Sequence, residues 1–110
     1  MSEEPTISTH VLDTQMGAPA PGVRVRLQHI LADGAAVDAG SGITDVDGRI
    51  RRLPTARLVP GAYRLTFDLH AYSEGFFRTI TLEVHVEDAT RSYHVPLLVS
   101  PFAITTYRGS

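Results

Sequence analysis

The chain ends in four residues that could do chemistry together. Tyr107, Arg108, Gly109 and Ser110 place a phenol, a guanidinium, a bend without a Cβ and a hydroxyl beside an α-carboxylate, directly after the apolar run Pro101–Thr106. A terminus frays unless contacts hold it. Such an end reads as a tail tucked into a site or, more plainly, as an edge strand that stops.

Two histidines could supply a base. His94 alternates with Tyr93, Val95, Leu97 and Val99 and shares its phase with Pro96 and Leu98. A partly apolar outer face calls for a cover, and a second copy of the chain is the simplest one. Pro96 donates no ladder bond and marks an irregular or edge position. His10 falls in the phase of Ser8 and Leu12, opposite Ile7, Thr9 and Val11, which points it outward too. Two imidazoles on covered faces suit water activation near neutral pH. On local pattern alone each reads equally well as a surface histidine. His29 continues an inward phase, His70 precedes a turn and His85 sits on a wet face. No HxH or HExxH spacing occurs, so no metal is expected, since zinc needs three converging ligands.

All ten basic residues are arginines. Lysine Schiff-base and lysine-base chemistry are thereby excluded, and the strong cations are planar, two-pronged donors for carbonyls and anions. Arg49 follows Asp45-Val-Asp-Gly48, a tight turn suited to positive φ at Gly48. Its side chain would be aimed reproducibly, at an oxyanion or a ring carbonyl. The same run invites a calcium reading, but the twelfth loop position, where a bidentate glutamate belongs, is Ala56. Arg51 and Arg52 read as solvated charges. Without a GxSxG elbow, Ser110 fits a positioning role better than acyl transfer.

The elements that must hold these residues are strands. Val23-Val25-Leu27, Tyr63-Leu65-Phe67-Leu69, Ile80-Leu82-Val84-Val86 and Tyr93-Val95-Leu97-Val99 each repeat with period two. Ile7–Asp13, short pieces near Gly42–Thr44 and Arg49–Leu53, and Phe102–Thr106 bring the expectation to about seven to eight strands. Met16–Gly22 and Ala32–Gly42 read as loops, and Ala71–Gly75 as one short helical turn. Two sheets packed face to face bury every apolar phase. The fold class is therefore all-β, a two-sheet sandwich. A chain of 110 residues is one domain over 1–110, with residues 1–5 expected to be disordered.

Composition narrows the partners. The net charge of −2 comes with no basic stripe or interleaved aromatics, which speaks against nucleic acid. No run approaches the roughly 18 apolar residues of a membrane span. The start, MSEEPTIST, is acidic where a signal peptide is basic and then apolar, so a cytoplasmic protein is expected. The absence of cysteine removes disulfides and thiolate chemistry.

Taken together these residues resemble the 5-hydroxyisourate hydrolases, the transthyretin-related enzymes of urate breakdown. The matching stretches are Ser8-Thr-His-Val-Leu-Asp-Thr14 with Gly17 and Pro19-Ala20, then Thr44-Asp-Val-Asp-Gly-Arg49, then Tyr93–Pro101 and Thr106–Ser110. The resemblance runs essentially end to end. It implies a transthyretin-like (prealbumin-like) sandwich assembled as a homotetramer, a dimer of dimers, with sites in the channel between dimers. It implies catalytic roles for His10, Arg49, His94 and Ser110, and substrate binding by His10, Arg49, Tyr107, Arg108 and Gly109. The implied reaction opens the six-membered ring of 5-hydroxyisourate to 2-oxo-4-hydroxy-4-carboxy-5-ureidoimidazoline, with no cofactor. Transthyretin, a hormone carrier of the same fold, lacks the histidine of the first motif and the terminal tetrad; a non-catalytic small-ligand carrier is the alternative. The chain departs from the family at Phe76-Phe-Arg-Thr-Ile80, where Arg78 and Thr79 stand in place of a Pro-Glu pair, and at Ala103-Ile104.

Overall fold

The computed structural model describes residues 4–110; the expected disorder over residues 1–5 lies outside the described residues at 1–3. Alternating burial sorts the strands into two sheets. In chain order they are β1 (Ile7–Asp13), β2 (Ala18–Pro19), β3 (Arg24–Ile30), β4 (Ala36–Ile43), β5 (Arg49–Ile50), β6 (Gly61–Asp68), β7 (Thr79–Val86), β8 (Tyr93–Val99) and β9 (Ile104–Thr106). One sheet runs β2-β1-β8-β9, with β5 also paired to β1; the other runs β4-β3-β6-β7. β1 and β8 are parallel, from Ile7 opposite Tyr93 to Asp13 opposite Val99. A parallel pair needs a long crossover, and the whole second sheet lies within it.

The core fills the space between the sheets. Ile7, Val11 and Leu97 from the first sheet meet Val25, Leu27, Leu65 and Phe67 from the second, all fully buried. Each such side chain contributes about 1.5–3 kcal/mol relative to exposure. Thr9 is polar yet buried, and its hydroxyl donates to the Val95 carbonyl at 2.6 Å. That bond ties β1 to β8 beneath the face where the histidines lie.

Three expectations are corrected. Among the described residues the strands number nine rather than about seven to eight. The Ala32–Gly42 stretch, expected as a loop, is largely β4, paired to β3 from Ala36 opposite Ile30 to Ile43 opposite Arg24. Its mostly exposed side chains carry no hydrophobic period, because an edge strand needs only its backbone to pair. At Gly40 a Cβ would come 1.9 Å from the Leu53 carbonyl oxygen, so only glycine fits that crossing.

The helical turn over Ala71–Gly75 is absent, and no helix occurs among the described residues. The Leu69 carbonyl accepts the amides of Tyr72 and Ser73, at 3.2 and 3.0 Å, closing one turn. The turn does not continue into a helix, and a side chain ties the corner instead. The Arg78 guanidinium donates to Ser73 at 2.6 Å, His70 at 3.3 Å and Gly75 at 3.4 Å. Arg78, the residue by which this chain departs from its resemblance, thus builds the corner from a side chain.

Candidate active site

Backbone pairing brings the sequence-marked residues across one surface. His10 is the partner of Arg49 in the β1–β5 pair, and Ser8 is the partner of His94 in the β1–β8 pair. An isolated bridge sets Gly109 opposite His94. Opposed residues share a face, and every second residue along a strand returns to it. Arg49, His10, Ser8, His94 and Gly109 therefore line up on the side away from the buried Ile7, Val11, Val95 and Leu97.

The Asp45–Gly48 turn aims two of them. The Asp45 carboxylate accepts the amides of Asp47 and Arg49, each at 2.9 Å, and the Arg49 bond is the main reason its carboxyl titrates below the ordinary value. Gly48, at φ 76°, donates to the Asp45 carbonyl at 2.8 Å, and its own carbonyl accepts the Val11 amide at 2.7 Å. A Cβ at Gly48 would lie 2.4 Å from the Val11 carbonyl oxygen. The turn is thus clamped to β1 beside His10. His10 Nε2–H donates to the Asp47 carbonyl at 2.9 Å, which leaves Nδ1 as the acceptor of the neutral ring. The Arg49 side chain makes no hydrogen bond or ion pair among the described residues.

His94 is half-buried, and its Nδ1 lies 2.8 Å from the Ser8 hydroxyl oxygen. Burial, then the positive charges of Arg49 and His10, hold its pKa below that of an ordinary histidine. That direction favours the neutral ring, the form a general base needs. Ser8 has no chemical signature in the sequence beyond sharing the His10 phase; only the β1–β8 register reveals its contact.

The tail divides between the two faces of its sheet. The Gly109 amide donates to the His94 carbonyl at 2.8 Å, so the last residues continue the line of β9. Arg108 points to the reverse side, with Cζ 5.3 Å from the centre of the Tyr93 ring, a ring packed against the interior. The structure thus brings Gly109 to His94 and does not bring the Arg108 guanidinium there. Tyr107 is 54% exposed.

Two hollows meet at β8. The first, about 600 Å³, is lined by Ser8, Arg49, Arg51, Arg52, His94, Gly109 and Ser110 among others. The second, about 680 Å³, is lined by Tyr93, Tyr107, Arg108 and the edge strand β7. His10 lines neither and stands beside the first. Among the described residues no cluster of three or more metal-binding side chains occurs. Arg51 and Arg52, read from sequence as solvated charges, add to the positive wall of the first hollow. An unpartnered guanidinium beside a neutral imidazole, in a cationic concavity, can bind a carbonyl-rich ring and polarise it for attack by water.

Comparison with known proteins gives the family. Residues 7–109 match the model of the family described as Transthyretin: HIUase/Transthyretin family. A 5-hydroxyisourate hydrolase of Salmonella dublin is 43% identical over 110 residues, covering 94% of this chain and 80% of that protein. The solved 5-hydroxyisourate hydrolase of Klebsiella pneumoniae superposes with a TM-score of 0.82 at 32% identity, covering 96% of this chain and 99% of the other. Sea bream transthyretin, solved in complex with thyroxine, gives a TM-score of 0.85 at 31% identity, over 94% of this chain and 93% of that one. The chain belongs to the HIUase/Transthyretin family, as a transthyretin-like protein strongly matched to the family's hydrolases.

Proposed function

We propose that this protein hydrolyses 5-hydroxyisourate, opening its six-membered ring to 2-oxo-4-hydroxy-4-carboxy-5-ureidoimidazoline without a cofactor. The observation that carries the reading is the convergence of the half-buried His94 and an unpartnered Arg49 on one concavity. Water adds to a ring carbonyl carbon, the adjacent ring C–N bond breaks, the carbon becomes a carboxylate and the nitrogen leaves protonated. His94 Nε2 takes the proton from the attacking water. Arg49 donates to the carbonyl oxygen as negative charge develops on it. His10 and Ser110 hold the water and substrate at the edges, with Gly109 forming the floor beside His94. Tyr107 offers a ring and a hydroxyl to the substrate, and Arg108 holds the tail in place.

We further propose a homotetramer, a dimer of dimers. The histidine face carries the buried Pro96 and half-buried Leu98, and an open concavity on a sheet needs a second wall to exclude water. Four chains of 12.0 kDa give a mass of about 48 kDa.

Purified protein added to freshly generated 5-hydroxyisourate should accelerate the loss of its ultraviolet absorbance beyond the spontaneous rate. Equal rates would end the hydrolase reading. Saturable binding without turnover would select the second reading, a small-ligand carrier, which the likeness to thyroxine-bound transthyretin supports. Sedimentation equilibrium giving a monomer mass would remove the tetramer and the shared second wall.

A further inference from the structure

Ser8 faces His94 across the parallel β1–β8 ladder, with its hydroxyl oxygen 2.8 Å from Nδ1. The opposite edge of the ring is blocked. Gly109 lies so near that a Cβ there would be 2.6 Å from Cδ2 of His94. The ring is therefore held between two neighbouring segments, with Nδ1 toward Ser8. Nε2 makes no hydrogen bond among the described residues.

A neutral imidazole carries one N–H, and which nitrogen bears it decides whether Nε2 can accept a proton or only donate one. A hydroxyl can play either part, so the Ser8 contact alone allows both tautomers. The surroundings break the tie. A proton on Nε2 meets no acceptor among the described residues, whereas a proton on Nδ1 meets the Ser8 hydroxyl oxygen at 2.8 Å. Arg49 on β5 disfavours a second proton on the ring. His10, diagonal to it on β1, adds to that effect when charged.

We propose that Ser8 is a positioning residue of the hydrolytic site: it accepts the Nδ1–H of His94 and so leaves the Nε2 lone pair facing the concavity as the base. This is the arrangement in which a base is oriented by a third group. It rests on the hydrolase reading above, but its central claim concerns the tautomer of one ring.

The test pairs a spectroscopic readout with kinetics on the full chain. Nitrogen-15 NMR of the histidine rings near pH 8, without substrate, should show His94 with its proton on Nδ1 in the parent and in S8T, which keeps the hydroxyl on a residue suited to strands. S8A should move the proton to Nε2 or give a mixture of tautomers. In turnover, S8A should lose about 10-fold or more in kcat with little change in KM, below the about 10²–10⁴-fold loss expected when a base is removed outright. S8T should recover most of that loss. An Nε2–H tautomer in the parent overturns the proposal, as does S8A with the parent's tautomer or the parent's kcat. A parent without turnover sinks the hydrolase reading, and the spectra then still decide whether Ser8 holds the tautomer.

Discussion

Gly109 and His94 approach so closely that no side chain fits between them: a Cβ on Gly109 would lie 2.6 Å from Cδ2 of the imidazole and 3.2 Å from Cγ. The glycine is not needed for its backbone angles, since its φ is outside the positive region. It is needed for the space. G109A should fold, because the neighbouring bridge is main chain, but should push the ring off Ser8. We expect about a 10²-fold fall in kcat, the scale of an ångström misplacement of a catalytic group. Steady-state kinetics beside an unchanged circular dichroism spectrum checks this. Parent-like kcat would show that the ring yields without consequence.

Arg108 is expected to act through Tyr93. The Tyr93 ring is a fixed platform, since its hydroxyl donates to the Asp88 carbonyl and accepts the Asp88 amide, each at 3.0 Å. A guanidinium over such a ring is worth about 0.5–1 kcal/mol at an exposed site. R108A should therefore speed hydrogen exchange at the Gly109 amide by about 2–5-fold. Ending the chain after Thr106, the last residue of β9, should leave the β-rich circular dichroism intact and remove most turnover. Normal kinetic constants in that shortened protein would make the tail dispensable.

The pH dependence follows from His94. Burial first, then Arg49 and His10, place its pKa below the ordinary histidine value. Because the neutral ring is the base, kcat/KM should rise with pH through a value below about 6.5. R49Q removes one positive neighbour and should move that limb to higher pH. The same substitution should lower the rate by at least a few kcal/mol of transition-state stabilisation. A pH–rate profile of both proteins checks the two effects separately. An unmoved limb would show that Arg49 does not act on His94.

The same shift has a consequence for stability with a definite sign. Between the lowered folded pKa and the ordinary value, the unfolded chain binds the proton more readily than the folded one. Stability should therefore fall as pH drops from the ordinary histidine value through the folded pKa, then level off with respect to this group. H94Q should flatten that part of the stability–pH curve in urea titrations. An unchanged slope would assign it to other groups.

Tyr72 and Asp13 join two loops far apart in sequence. The Tyr72 hydroxyl donates to the Asp13 carboxylate at 2.6 Å, and the other carboxylate oxygen accepts the amides of Gln15 and Met16 at 3.0 and 2.9 Å. The Tyr72 bond is the main reason Asp13 titrates below its ordinary value, while burial and then Asp13 push the phenol up to about 12. Y72F should destabilise the fold by about 1–3 kcal/mol, the range for a lost bond to a charged group. Its contribution in the parent is present above the ordinary carboxylate pKa and is lost as pH falls through the lowered one. Equal urea midpoints for Y72F and parent at pH 7 would show the bond to be idle.

Strands whose two faces see different solvents write that difference into their residues. The period-two pattern of β1, β6, β7 and β8 therefore made the all-β sandwich legible, and with it the outward phase of His10 and His94. The tight Asp45–Gly48 turn and the placement of Arg49 just beyond it were legible for a similar reason, since few residues tolerate such a bend. β2 and most of β4 were not legible, because an edge or two-residue strand pairs through its backbone and demands little of its side chains. The irregular corner at Ala71–Gly75 was not legible either, since it is tied by Arg78, whose reach to three carbonyls depends on where the chain turns. Above all, the contacts that make the site are sums over register. Ser8 against His94 and Gly109 against the same ring arise from alignment of segments 86 and 15 residues apart. Which face Arg108 takes is likewise set by the His94–Gly109 bridge rather than by its place in a motif. Residue types announce what a side chain can do; which neighbours it meets is decided when the strands choose their partners.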